Sequence, residues 1–252
     1  MTIVDRLRAA GCVFAEDEAR LITAEARTPG ELDTMVQRRV DGEPLEVILG
    51  WAEFHGLRIT VEPGVFVPRQ RSELLVRQAV TLAGPGAVVL DLCCGTGALG
   101  AAIAAELGDI RLYAADIEPA AVLCARVNVA QAGGEVFEGD LYAPLPTTLR
   151  GRVDILVVNA PYVPTDAIAM MPPEARDHEP VVALDGGHDG VDVHRRVAAE
   201  APQWLAPGGH LLIETGESQA ASTAEAMAHN GLTPEVISDE DLYATIVVGA
   251  RR

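Results

Sequence analysis

The chain has 252 residues, with 37 Asp and Glu against 19 basic residues, all of them Arg and none Lys, for a formal net charge of −18. At 49% hydrophobic and 22% charged residues it has the composition of a folded globular protein, long enough for one large domain, or for one domain plus a small appendage. So acidic a chain argues against a protein that tracks nucleic-acid phosphates, whose affinity comes from clustered cations, though not against one that reads a short extruded segment.

Met1 to Gly11 carries Asp5, Arg6 and Arg8 and no apolar run, so no targeting segment is expected there. Apolar positions at Ile3, Val4, Leu7, Ala10, Val13, Phe14, Leu21 and Ile22 predict two short helices or one bent one over residues 3–27. Thr28-Pro29-Gly30 is a stop signal, and Glu31 to Val40 reads as an amphipathic helix ended by Asp41-Gly42. From Trp51 the period shifts towards two, through Phe54, Leu57, Ile59 and Val61. Pro63-Gly64 then turns into Val65-Phe66-Val67, which reads as a β-hairpin. Ser72 to Leu82 looks helical.

Beyond Gly84-Pro85-Gly86 strands and helices alternate. Strands are predicted at Ala87–Leu92, Ile110–Ala115, Glu135–Glu138, Val153–Val158, His210–Glu214 (after a Pro207-Gly208-Gly209 turn), Glu235–Ser238 and Ala244–Val248. Helices are predicted from the Gly-rich turn to about Leu107, over Pro119–Gln131, from about Val191 to Leu205, and over Ser218–Asn230. Such βα units imply a mostly parallel sheet covered on both faces. Ala87 to Leu107 is the most apolar stretch, but Asp91 and Glu106 interrupt it, so no membrane span is expected. The two parts differ in charge as well. Residues 1–80 hold 13 acids and 10 Arg, whereas residues 81–252 hold 24 and 9. The expected division is a helical module over residues 1–50, a hairpin linker over 51–71 and the α/β domain over 72–252.

Three features carry chemistry. Asp91-Leu-Cys-Cys-Gly95-Thr-Gly97-Ala-Leu-Gly100 follows the first strand of the α/β domain and opens a helix, so its amides can face a ligand at close range. Asp116 ends the next strand, where an acid is placed to accept hydrogen bonds from a ribose diol. A nicotinamide dehydrogenase would set its first Gly at the strand end to seat a pyrophosphate, whereas here Asp91 stands upstream. Asn159-Ala160-Pro161-Tyr162 follows the fourth strand. From it a long irregular stretch runs from Ala160 to Gly190, and loops of that length inside compact domains are usually functional. The four cysteines, Cys12, Cys93, Cys94 and Cys124, show no C-x-x-C spacing, which points to a reducing cytoplasm. Cys93 and Cys94 read as small thiols at a tight turn rather than a redox or metal pair. His178, His188 and His194 lie near Asp177, Asp189 and Asp192 but fit no standard zinc spacing. Trp51 and Trp204 read as core or docking aromatics.

Asp-x-x-x-Gly-x-Gly with a second-strand Asp resembles motif I of the class I S-adenosylmethionine-dependent methyltransferases. Asn159-Ala160-Pro161-Tyr162 is similar to the (Asp/Asn/Ser)-Pro-Pro-(Tyr/Phe) motif of enzymes that methylate planar nitrogens. The likeness extends through Gly42-Glu43-Pro44-Leu45, the run from Trp51 to Leu57, Pro63-Gly64-Val65-Phe66-Val67-Pro68-Arg69, Glu179-Pro180, Ala183-Leu184-Asp185-Gly186-Gly187 and Asp189-Gly190. Over nearly the whole chain from about Arg38 it resembles the HemK/PrmC family of protein-(glutamine-N5) methyltransferases, which act on the Gly-Gly-Gln loop of peptide-chain release factors. The resemblance implies a Rossmann-like fold with a seven-stranded, mostly parallel sheet, a small helical N-terminal domain and a β-hairpin linker. It implies S-adenosyl-L-methionine as cofactor and S-adenosyl-L-homocysteine as product, with Asp91, Cys93, Cys94, Gly95, Thr96, Gly97, Asp116, Ile117, Asp140, Leu141 and Asn159 around them. It also implies catalytic roles for Asn159 and Tyr162, with Ala160 and Pro161 completing the substrate site. The expected partner is a release factor, met by a cytoplasmic monomer without membrane or nucleic acid.

The chain departs from the family in three places. Ala160 replaces the first proline of the tetrapeptide. The family's Arg-Pro-(Glu/Asp)-Thr-Glu reads Arg69-Gln70-Arg71-Ser72-Glu73. The N-terminal helical region is shorter by about a helix. Three rivals therefore stand: a small-molecule N-methyltransferase, an adenine-N6 methyltransferase of nucleic acid, and a non-catalytic cofactor-binding or scaffolding protein. The charge disfavours the second, and the intact Asn159 and Tyr162 disfavour the third.

Overall fold

Four helices open the chain in the computed structural model, which describes residues 1–252. Helix α1 (Ile3–Ala9) starts at a capping box in which Thr2 and Asp5 exchange hydrogen bonds. Helices α2 (Ala15–Glu25) and α3 (Pro29–Val40) follow, the latter capped by Thr28 with Pro29 at its first position. Helix α4 (Leu45–Leu49) was not foreseen, because five residues between Pro44 and the left-handed Gly50 are too few to show a period. The four helices close on their own core of Leu7, Ile22, Val36 and Leu49. Arg39, 8% exposed, is compensated by Glu18 of α2 at 2.6 Å and by Glu174 far along the chain, which ties this module to the body.

Strands β1 (Trp51–Phe54) and β2 (Leu57–Thr60) form the hairpin, and they turn at His55-Gly56. The sequence placed the turn at Pro63-Gly64, and the structure corrects this. His55 and Gly56 both take positive φ, as a two-residue hairpin turn requires, and Glu53 accepts the Gly56 amide at 3.1 Å. Val65 and Val67 are buried but belong to no strand, so the alternation that suggested pairing reports packing instead.

The body contains α5 (Glu73–Leu82), β3 (Val88–Leu92), α6 (Ala98–Leu107), β4 (Arg111–Asp116), α7 (Pro119–Val129) and β5 (Glu135–Glu138). It continues with β6 (Val153–Val158), α8 (Pro173–His178), α9 (Asp192–Trp204), β7 (Leu205–Thr215), α10 (Ala220–His229), β8 (Leu232–Asp239) and β9 (Ala244–Arg251). The seven strands β3–β9 lie in the order β5-β4-β3-β6-β7-β9-β8, parallel except for β9, which is antiparallel to both its neighbours. Central strands β3 and β6 are apolar runs because both their faces are covered. Leu75, Ile103 and Val122 belong to the core on one face, and Val197, Trp204 and Met227 to the core on the other. Trp204 stacks on Tyr142 at 5.4 Å, a core role.

Two local expectations change. Strand β7 begins at Leu205, so Pro207-Gly208-Gly209 lies within an irregular strand, where the register with β6 shifts between Val153 and Ile155. Residues 160–190 are not structureless. They hold α8 and two 3₁₀ turns, Thr165–Met170 and Val181–Ala183, each entered from a proline and too short for periodicity to reveal.

Candidate active site

The strand order reverses between β3 and β6. Chain continues outward from β3 through β4 and β5 on one side, and from β6 through β7 on the other, so a crevice opens beyond their carboxyl ends. The Gly-rich turn leaves β3 there and Asn159-Ala160-Pro161-Tyr162 leaves β6, which brings the two motifs face to face. A single cavity of about 800 Å³ lies between them.

Cys93, Cys94, Gly95, Thr96, Asp116, Ile117, Asp140, Leu141, Asn159, Ala160, Pro161 and Tyr162 all line that cavity. Asp91 and Gly97 do not. The Asp91 carboxylate, fully buried, accepts the Gly100 amide at 3.0 Å through one oxygen, and its other oxygen has no partner. A Cβ on Gly100 would stand 3.3 Å from that carboxylate and 3.0 Å from Leu112, so the third glycine admits the acid. Burial pushes the Asp91 carboxyl up to about 7, against the pull of the Gly100 amide. Through the Gly100 amide, Asp91 fastens α6 to β3. Gly97 caps α6 at φ +75°, and a Cβ there would meet Ala125 of α7 at 3.1 Å, so its task is helix packing.

Asp116 stands at the end of β4. Its two oxygens accept the Gly95 and Glu118 amides at 2.8 and 2.9 Å, which fixes the carboxylate at the cavity wall. Burial raises its proton affinity, and the two amides oppose that rise. Ile117 beside it is an exposed apolar side chain, and Leu141, at φ +47°, faces the same space. Asp140 pairs with Arg196 of α9 at 2.6 Å. Burial also pushes the Cys93 thiol well above its ordinary range, so it lines the turn as a neutral group.

At the other end, Asn159 Nδ2 donates to Ser72 Oγ at 3.1 Å. Ser72, 2% exposed, accepts that hydrogen bond, which leaves Oδ1 on the other side of the amide. Neither that Oδ1 nor the neighbouring Ala160 carbonyl accepts a hydrogen bond from the protein. Two acceptors from adjacent residues thus remain free at one end of the cavity. Tyr162 Oη donates to Glu214 Oε1 at 3.1 Å and accepts from Arg71 Nε at 3.1 Å. Burial pushes this phenol up to about 12, so it stays protonated.

The backbone after Tyr162 is held by residues 184–192. Val163 donates to Leu184 and accepts from Gly186, while Gln219 Nε2 donates to the Tyr162 carbonyl at 2.8 Å. Gly186 and Gly190 lie against Tyr162 so closely that a Cβ would stand 2.7 Å from its Cα or 2.4 Å from its carbonyl oxygen. Sequence reading noted these glycines without a task for them, and it passed over Ser72, Arg71 and Glu214 as site residues. Their contacts with the tetrapeptide span 52 to 91 residues, so no local pattern could reveal them. His178 and His188 are exposed, and His194 is buried with Nδ1 against Thr223 Oγ1 at 2.9 Å. No group of three His, Cys, Asp or Glu is placed to hold a metal ion.

Residues 56–171 match the family model described as the methyltransferase small domain. A release factor glutamine methyltransferase of Geobacter sulfurreducens is 37% identical over 219 residues, which cover 86% of this chain and 76% of that protein. Its counterpart in Mycolicibacterium smegmatis is 39% identical over 231 residues, 90% of this chain and 82% of that one. A 4-amino-L-phenylalanine/4-methylamino-L-phenylalanine methyltransferase of Streptomyces pristinaespiralis is 35% identical over 229 residues, 82% and 78% of the two chains. Among solved structures, a methyltransferase from Pyrococcus furiosus superposes with a TM-score of 0.59 at 17% identity, covering 78% of this chain and 89% of that one. That likeness bears on the fold, which is the class I methyltransferase fold.

Proposed function

The chain belongs to the family of release factor glutamine methyltransferases, and we propose that it methylates the side-chain nitrogen of a glutamine in the Gly-Gly-Gln loop of a peptide-chain release factor. The observation that carries this reading is the pair of free acceptors, Asn159 Oδ1 and the Ala160 carbonyl, on one wall of the cavity.

The cavity fits S-adenosyl-L-methionine. The anchored Asp116 carboxylate retains lone pairs for the ribose hydroxyls, Ile117 and Leu141 offer apolar surface for the adenine, and Asp140 stands beside them. Cys93, Cys94, Gly95 and Thr96 supply the wall between the two ends. When bound, the cofactor supplies a methyl group on a sulfonium and leaves as S-adenosyl-L-homocysteine.

An amide nitrogen is a poor nucleophile because its lone pair is delocalised into the carbonyl. Asn159 and Ala160 accept hydrogen bonds from its two N–H groups and hold the nitrogen still, while the Tyr162 ring packs against the amide plane. As the N–C bond forms and the S–C bond breaks, one N–H proton is released to water. Positioning of this kind is worth about 7–11 kcal/mol of the barrier, and no strong base is required for it. Ala160 keeps the carbonyl that a proline would offer here, and its side chain is buried, while the turn lacks the φ restraint of a proline.

Ser72 acts one step back, through Asn159. Ser72→Ala is expected to lower kcat about tenfold, the worth of one hydrogen bond of about 1.4 kcal/mol, without changing cofactor affinity. Ser72→Thr should restore most of the rate. Steady-state kinetics with direct cofactor titration checks both, and unchanged kcat in the alanine variant would remove Ser72 from the mechanism.

A protein acceptor also suits the charge. Residues 81–252 carry a net −15 that can draw in a cationic loop, while the Arg-bearing front module touches the rest of the partner. On this reading kcat/KM for a release factor falls about tenfold between 0.05 and 0.5 M salt, as screening shortens the reach of the field. A salt-independent value would contradict it. The same reading places the enzyme in the cytoplasm as a monomer. No helix is long and apolar enough to cross a membrane.

One observation favours a second reading. The relative that acts on 4-amino-L-phenylalanine is about as similar as those that act on release factors, so a planar nitrogen on a small molecule is the alternative acceptor. Transfer of labelled methyl from S-adenosyl-L-methionine to a purified release factor tests the first reading against it.

A further inference from the structure

One cation at the acceptor end has no part in the reaction described above. Arg71 precedes Ser72 and lines the same cavity as Asn159 and Tyr162. Its Nε donates to Tyr162 Oη and to Glu214 Oε1, both at 3.1 Å, and Glu214 is 1% exposed behind it. The two terminal nitrogens of its guanidinium donate to no protein group, and the side chain keeps 41% of its surface exposed. The other two arginines of the cavity wall differ, since Arg69 and Arg196 each spend a terminal nitrogen on a carboxylate, Glu179 and Asp140 respectively. Arg71 is thus held through Nε, with its guanidinium carbon 6.0 Å from the centre of the Tyr162 ring and its two terminal nitrogens unpaired at the cavity wall. The family motif that this segment resembles has an acid at this position, so the charge is reversed here.

We propose that Arg71 is an anion-recognition residue of the acceptor site, whose terminal nitrogens bind a carboxylate carried by the acceptor close to the nitrogen to be methylated. A guanidinium fork matches a carboxylate with two parallel N–H···O bonds. Buried Glu214 balances the charge, so the arginine is held in place without an acceptor present. The carboxylate has two sources: the α-carboxylate of a free or chain-terminal amino acid, or an acidic side chain next to the target in a polypeptide. This inference rests on the reading that Asn159 and Ala160 hold the acceptor nitrogen. A purely structural Arg71, serving only to prop Tyr162, would affect charged and neutral acceptors alike.

The test is calorimetric titration of the full chain, saturated with S-adenosyl-L-homocysteine. The ligands are the tripeptide Gly-Gly-Gln with a free terminal carboxylate, its C-terminal amide, and Gly-Gly-Gln-Glu amide. The expected result is at least tenfold tighter binding of one carboxylate-bearing peptide than of the tripeptide amide. Which peptide gains identifies the source. In Arg71→Gln the ratio should fall to about one, and Arg71→Lys, which keeps the charge but loses the fork, should retain a reduced preference. Equal affinities in the unmodified protein, a preference that survives Arg71→Gln, or binding of none of the three overturns the proposal. Labelled methyl transfer to an intact release factor by the same preparation separates the two failures. If it persists while the preference is absent, Arg71 alone is misassigned; if it is absent while the carboxylate preference holds, the release-factor reading fails and Arg71 stands.

Discussion

Asn159→Ala is expected to lower methyl transfer by a hundredfold to a thousandfold, about the cost of deleting one preorganised polar group from an active site, while cofactor affinity changes by less than about threefold. The asymmetry follows from the placement of the two ends. The groups proposed to hold the ribose and adenine sit after β4 and β5, anchored by the Gly95 and Glu118 amides and by Arg196. Asn159 sits after β6, with Nδ2 fixed by Ser72 and Oδ1 free. Truncation leaves the Ala160 carbonyl to hold one hydrogen of the acceptor, and the nitrogen is no longer aimed. Single-turnover rates with parallel cofactor titration check this. Near-normal turnover, or loss of cofactor binding equal to the loss of rate, would contradict the role given to Asn159.

Gly186→Ala should be nearly as damaging, although Gly186 touches no ligand in this account. An added Cβ would stand 2.5 Å from the Gly190 carbonyl oxygen and 2.7 Å from the Tyr162 Cα. Both obstacles are backbone and cannot rotate aside, so the 163–186 pairing or the tetrapeptide itself must move. Overpacking of this kind costs about 1–3 kcal/mol of stability. A displacement of about 1 Å at positioning groups is worth a further hundredfold in rate. Gly84→Ala is the control, since nothing lies within 4 Å of a Cβ there and the φ is ordinary. Thermal unfolding and kcat are read together. A Gly186→Ala protein of normal stability and normal rate would show that residues 184–190 do not hold Tyr162.

The parts of this architecture that were legible in the sequence are those written locally. Central strands β3 and β6 are continuous apolar runs, and their loops carry the glycines and the Asn159 tetrapeptide that meet at the crevice. The hairpin turn was misplaced because alternation from Phe54 to Val61 continues across it, and only the positive φ of His55 and Gly56 marks the reversal. The family likeness sets Asp91 near the cofactor, and the fold adds that one of its oxygens is taken by the Gly100 amide of α6. Ser72 and Arg71 reach their partners across 87 and up to 143 residues, so only the fold discloses them. The spacing that made Glu179 and Gly186 part of a family likeness carried no hint that one would pair with Arg69 and the other lie against Tyr162.

On the proposed function, two free acceptors beside the cavity present a glutamine amide for methylation. Its most direct test is incubation of the purified protein and a purified release factor with isotopically labelled S-adenosyl-L-methionine, followed by mass mapping of the modified residue. The expected result is one methyl group on the glutamine of the Gly-Gly-Gln loop, absent with Asn159→Ala. Label found only on nucleic acid or on a small molecule, with the release factor unmodified, would contradict it.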